Sequence, residues 1–119
     1  MTVTILGAAH PVVLPPRFAE RRELLSLAYG NPQRGAAMAL ALCCPSLKVK
    51  VAYMVHALGV TAEVAGRAWE ELSTRGVTDM DMFAAAQPII GAVDALAFPL
   101  AAEVAAAEDF TVPSGAPVT

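Results

Sequence analysis

The chain has 119 residues, of which 56% are hydrophobic, only 16% are charged and 6% are aromatic, and its formal net charge is −3. This length predicts one domain with a modest core, and the charge and low aromatic content argue against nucleic-acid binding. The uncharged runs 35–47, 51–62 and 82–93 are each shorter than the roughly 18–20 apolar residues of a membrane-spanning helix, so we expect no membrane partner. The N-terminus lacks the basic start of a signal peptide, which predicts an intracellular protein.

The first predicted elements are a β-hairpin and a helix. Residues 2–6 alternate polar and apolar side chains before Gly7, and Pro11–Pro15 is a second extended run, so we expect a hairpin over about residues 2–14. Two prolines at positions 15 and 16 predict the start of a helix that Gly30 ends. The predicted apolar stripe of this helix is Phe18, Leu25, Ala28 and Tyr29, while Arg17, Glu20 and Arg21 are predicted to lie mostly on the opposite side.

The middle of the chain predicts two covered helices. Asn31 before Pro32 is typical of an N-cap, and the helix that follows to about Cys43 is apolar on all sides, which predicts a central position. Pro45 ends it, and Leu47–Leu58 is predicted to be a third helix with two apolar stripes and Gly59 as its C-terminal cap.

Threonines begin the next two predicted helices. Thr61 is expected to cap a helix over about Ala62 to Arg75, and Thr78 the next helix. Pro88 falls inside this latter helix and either kinks it or begins a second one. The predicted apolar stripe of the helix is Phe83, Ala86, Ile90, Val93 and Ala97.

The predicted fold is therefore mainly α, a compact bundle of about five or six short helices with a small N-terminal β-hairpin. A last alanine-rich helix is expected from Pro99 to near Glu108. We expect residues 1–110 to form a single helical domain and residues 111–119, which are rich in proline and small side chains, to form a flexible tail.

No pattern of catalytic or ligand-binding residues is apparent, so we expect neither enzymatic activity nor a cofactor or metal. Cys43 and Cys44 are adjacent, which suits neither a disulfide nor a zinc site, and we interpret them as buried core residues rather than redox groups. His56 lies on an apolar helix face and is interpreted as a core histidine. Asp79 and Asp81 are explained by helix-start electrostatics.

Charge is divided unequally along the chain, with a net +4 up to Leu58 and a net −7 from Gly59 onward. Copies of such a chain can pair head to tail, so we expect self-association. The basic first helix is either an ordinary solvated face or a protein contact, and methionines beside Phe83 can form an adaptable patch. The candidate partner-binding residues are Phe18, Arg21, Arg22, Leu25, Tyr29, Met80, Met82 and Phe83.

Two stretches carry a resemblance to a known family. TVTILGAAHPVVLPPRFAERREL runs from an extended segment through prolines into an Arg/Glu-rich helix, and EVAAAEDFTVP lies near the C-terminus. With the alanine-rich middle, these stretches resemble the tail assembly chaperones of long-tailed phages and prophages.

The resemblance implies a helical, non-enzymatic protein in the host cytoplasm that coats the tape measure protein until tail tube subunits replace it. A groove between the Phe18–Tyr29 helix and the Met80–Ile90 region is the expected contact for an apolar helix stripe. Two alternatives stay open: a virion structural protein, such as a head–tail connector or tail completion protein, and a small phage inhibitor of a host defence enzyme.

Overall fold

The computed structural model describes residues 1–96, and the predicted last helix, the flexible tail and the position of Ala97 lie outside the described residues. Within this part the fold is mainly helical, with five α-helices after a two-stranded antiparallel hairpin. This confirms the predicted fold class. None of these helices combines the length and apolar character needed to cross a membrane.

The hairpin consists of β1 (Thr2–Ile5) and β2 (Ala8–Pro11). Its turn has only two residues, Leu6 and Gly7, with φ of 51° and 80°, as a type I′ turn requires. The second strand therefore begins three residues earlier than the predicted Pro11–Pro15 run, because the short turn leaves no room for a longer connection. Beyond β2 the chain continues extended, and Val13 N–H donates to the carbonyl of Cys43 at 2.7 Å.

Helix α1 (Phe18–Gly30) begins two residues after the prolines and not at them. Its buried residues are Arg21, Leu24 and Ala28, so the buried face is rotated relative to the predicted stripe. The expectation that Arg21 faces water is wrong, because its guanidinium donates to the carbonyls of Pro15 and Pro16 at 3.1 and 2.7 Å.

Helix α2 (Pro32–Cys43) occupies the centre of the fold, as its all-round apolar sequence predicts. The Asn31 side chain accepts from Arg34 N–H at 3.2 Å and so provides the predicted N-cap. Residues 35–41 are all buried, and α2 packs against α1 and the two long helices that follow later in the chain. Gly35 lies against Ala28 of α1, so close that an added Cβ would be 2.3 Å from the Ala28 Cα.

The prediction of a single helix over Leu47–Leu58 is wrong. The structure has 3-10 helices at Pro45–Leu47 and Lys50–Met54, and only Val55–Leu58 (α3) is α-helical. Lys48 adopts a left-handed backbone with φ of 52°, which interrupts the helix. Arg75 donates to the carbonyls of Leu47 and Lys48, which stabilises this turn.

The last two described helices are α4 (Ala62–Thr74) and α5 (Asp79–Ala95). Thr61 and Thr78 accept from N–H groups in the first turns, which confirms both predicted caps. Pro88 lies inside α5 without ending it. The fully buried large side chains of the core are Leu24, Met38, Leu40, Val49, Val64, Leu72, Met82, Ile89 and Val93.

Candidate protein-binding surface

The five candidate residues on α1 occupy three different environments. Arg21 is only 1% exposed, and its guanidinium lies 6.0 Å from the centre of the Phe18 ring. Burial removes Arg21 from a surface contact with a partner. Phe18 and Leu25 are half-buried, whereas Arg22 and Tyr29 are exposed and remain available.

The three candidates on α5 are divided by helix geometry. Met80 is 77% exposed, Phe83 is half-buried and Met82 is 1% exposed. Residues two apart on a helix point in nearly opposite directions, so Met80 and Met82 cannot form one patch. The predicted methionine pair is therefore split between the surface and the core.

Helices α1 and α5 contact each other directly. The Tyr29 hydroxyl donates to the Asp94 carboxylate at 2.9 Å, and this hydrogen bond is the main reason why the pKa of Tyr29 is raised. An open groove of about 640 Å³ lies instead on another face of α1, where Arg22 and Leu27 face Val60. Helices α1 and α5 thus meet at Tyr29 and Asp94, and the groove expected between α1 and the Met80–Ile90 region stays a prediction.

The side of α5 that faces away from the core is almost without charge. We call this side the α5 outer face and define it by Met80, Ala84, Gln87, Gly91 and Ala95, all exposed. Gly91 projects into open space, since an added Cβ would meet nothing within 4 Å. A surface helix ordinarily has charged residues opposite its buried stripe, and α5 has none between Met82 and Val93. The sequence contains this feature as an uncharged run, but only the structure shows which side of α5 is exposed.

Polar contacts at both ends of α5 hold it against α1, α2 and α4. At the N-terminal end, the Asp79 carboxylate accepts from Trp69 Nε1 at 2.7 Å and from Gln33 Nε2 at 3.0 Å. At the C-terminal end, Asp94 accepts from Tyr29. Because both ends are held, the α5 outer face is presented on a fixed helix rather than on a loop.

The residues considered for chemistry do not share an open site. Cys43 and Cys44 are fully buried, as predicted, and burial raises the pKa of Cys43 to about 12 and that of Cys44 to about 11. His56 is exposed on α3, so its interpretation as a core histidine is wrong. No group of three or more potential metal ligands is found within residues 1–96.

His10 is a residue whose structural role the sequence analysis did not identify. Its Nδ1 lies 2.7 Å from the hydroxyl of Ser46, so the hydrogen bond joins β2 to the first 3-10 helix. The separation of 36 residues leaves no local pattern from which this pair could have been found. It serves to position the hairpin.

Comparisons of this chain with protein-family models, with curated proteins and with solved structures give no match.

Proposed function

We propose that this protein is a non-enzymatic tail assembly chaperone that binds a helix of the phage tape measure protein in the host cytoplasm. One observation carries the proposal: α5 has no charged residue between Met82 and Val93, yet its outer face is exposed. A helix with this composition is expected to be covered. The family resemblance supplies the partner, a long helical protein that needs a temporary cover.

The composition of the α5 outer face suits a helical partner. Ala84, Gly91 and Ala95 are small, which lets the backbone of a second helix approach closely. Met80 is flexible and adapts its shape to side chains of the partner. Exposed Tyr29 lies beside the C-terminal end of this face through its bond to Asp94, and aromatic residues are common anchors in interfaces.

Introducing a charge into the α5 outer face tests the proposal. Gly91→Glu places a carboxylate in the middle of the face, and the open space around Gly91 lets the variant fold. We expect the wild type to keep a co-expressed tape measure fragment from the same genome soluble, and the variant to fail. Ala19→Glu adds the same charge to an exposed position on α1 and should behave as the wild type does.

The soluble fraction of the tape measure fragment is the measurement. If the fragment stays insoluble with the wild type, or if Gly91→Glu solubilises it equally well, the proposal fails. Detection of the protein in purified phage particles would favour the virion structural role instead, because an assembly chaperone leaves before the particle is complete.

We also propose that copies of the protein associate through opposite charges. Arg22 is exposed in the basic half and Glu70 in the acidic half of the chain. Sedimentation of Arg22→Glu should show a smaller particle than the wild type at low salt. An unchanged particle size would contradict head-to-tail pairing through Arg22.

A further inference from the structure

The outer edge of β1 is covered by no other strand, because the sheet within residues 1–96 contains only β1 and β2. Val12 N–H donates to the carbonyl of Met1 at 2.9 Å, and hydrogen-bonded pairs alternate along an antiparallel ladder. Val3 and Ile5 therefore direct their backbone groups toward β2. The backbone N–H and C=O groups of Thr2 and Thr4 point outward, and no other backbone group within residues 1–96 forms a hydrogen bond with them.

This outward edge of β1 borders an open groove of about 470 Å³ whose other wall is a flank of α5. Ala84 and Pro88 line that wall, and neither side chain is long enough to cover the edge. Proteins commonly protect an edge strand with a charged side chain, a proline or a bulge. Thr2 and Thr4 provide none of these, so the geometry for adding a third strand is intact.

The charge in the groove indicates which segment would fit. Asp81 lies in the α5 wall, and its N–H donates to the Thr78 hydroxyl at 3.1 Å. Its carboxylate forms no hydrogen bond or ion pair with another residue in the described part of the chain. A lysine or arginine in the added segment would complement this charge.

A second copy of β1 suits the groove less well. Pairing of two β1 edges about a two-fold axis would bring two Asp81 carboxylates to one shared groove, and like charges at short range repel. A segment with basic residues meets no such opposition.

We propose that the groove between β1 and α5 binds an extended, basic segment of a partner protein, which adds to β1 as a third strand. Backbone hydrogen bonds to Thr2 and Thr4 supply affinity, and Asp81 selects the basic residue. This interaction does not rest on the tail chaperone function, and the groove shares Ala84 with the α5 outer face.

Nuclear magnetic resonance of the full ¹⁵N-labelled chain tests the proposal with the synthetic peptide acetyl-Lys-Val-Thr-Val-Thr-amide. We expect hydrogen exchange of the Thr2 and Thr4 amides to slow, with shift changes along β1 and the Asp81–Pro88 flank of α5. An acidic peptide with Glu in place of Lys should bind about fivefold more weakly, as an exposed ion pair of ~1 kcal/mol implies.

Two variants separate the contributions. Asp81→Asn should abolish the difference between the basic and acidic peptides, and Ala84→Trp should block both by filling the groove. Ala19→Trp, at an exposed position on α1, is the matched control and should bind as the wild type does. Asp81 and Ala84 are both exposed, so each variant is expected to fold and tests the proposal by itself.

Three results would overturn the proposal. The first is unchanged exchange of the Thr2 and Thr4 amides at saturating basic peptide. The second is equal binding by a backbone N-methylated peptide, which cannot form the ladder. The third is a dimer, seen by sedimentation, that Ala84→Trp abolishes, because a second copy would then occupy the groove.

Discussion

Two glycines show how differently the same residue type acts in this molecule. Gly35 lies at the crossing of α1 and α2, where the backbone of Ala28 leaves no room for a side chain. Gly91 lies on the α5 outer face with open space around it, and its backbone is helical. The first is required by packing, whereas the second only weakens its helix.

Alanine substitution of each glycine should therefore change stability in opposite directions. Gly35→Ala forces α1 and α2 apart and is expected to lower the free energy of unfolding by at least about 1–3 kcal/mol, as overpacked core substitutions do. Gly91→Ala should raise it by about 0.5–1 kcal/mol, because alanine favours helix. Urea unfolding monitored by circular dichroism measures both, and equal effects of the two substitutions would contradict this account.

At the scale of the element, local signals predicted what local chemistry controls. The three N-caps at Asn31, Thr61 and Thr78 and the end of α1 at Gly30 followed from side-chain chemistry next to the helix. The broken segment after Pro45 did not, because Lys48 takes its left-handed backbone in a turn stabilised by Arg75, 27 residues away. Contacts of that range leave no trace in local periodicity.

In the candidate site, side-chain pattern assigned some residues to the surface correctly and one wrongly. Sequence pattern placed Met80 and Tyr29 among the candidate residues, and both are exposed. The pattern also included Arg21, because a charged residue is almost always assigned to the surface. Its burial depends on the two carbonyls at Pro15 and Pro16, which only the turn before α1 brings within reach.

Neighbouring arginines on α1 provide a matched test of this turn. Arg21→Met removes the two hydrogen bonds to carbonyls and should lower the free energy of unfolding by about 2–3 kcal/mol, since bonds from a charged donor are worth ~1.5–3 kcal/mol. Arg22→Met removes an exposed side chain and should change stability by less than about 0.5 kcal/mol. Thermal unfolding of both variants gives the comparison, and a larger loss for Arg22→Met would disprove the role assigned to Arg21.

At the scale of the whole molecule, α2 unites the fold. It contacts α1, α4 and α5, and the hairpin exit is bonded to its C-terminal end through Val13 and Cys43. Cys43 and Cys44 therefore lie within the one core that every described helix of more than one turn helps to form. Burial in that core disfavours the ionised form of both thiols.

Stability should consequently fall in alkaline solution. The folded protein raises the pKa of Cys43 to about 12 and that of Cys44 to about 11, above the ordinary value of 9.0. Their stabilising contribution is complete below pH 9.0 and is lost as the pH rises from there through the folded-state values. Once the unfolded thiols are ionised, we expect a loss of about 1 kcal/mol per pH unit for each thiol.

Urea unfolding between about pH 8 and pH 10.5 measures this loss. The variant Cys43→Ala/Cys44→Ala has a lower starting stability but should show a flatter dependence on pH. Since the two proteins differ only at these two positions, the difference between the two slopes isolates the thiols. Parallel slopes would show that the cysteines do not carry the effect.

The packing of β1 against α5 has a consequence for biosynthesis. Val3 and Ile5 are buried in the same core as Ile89, which the ribosome adds 84 residues after Ile5. At the usual ~5–20 residues per second, the N-terminal strand waits roughly 4–17 s before its covering helix exists. During that interval the apolar side of the nascent hairpin is open to other proteins of the cell, so the yield of native protein should depend on how quickly translation reaches α5.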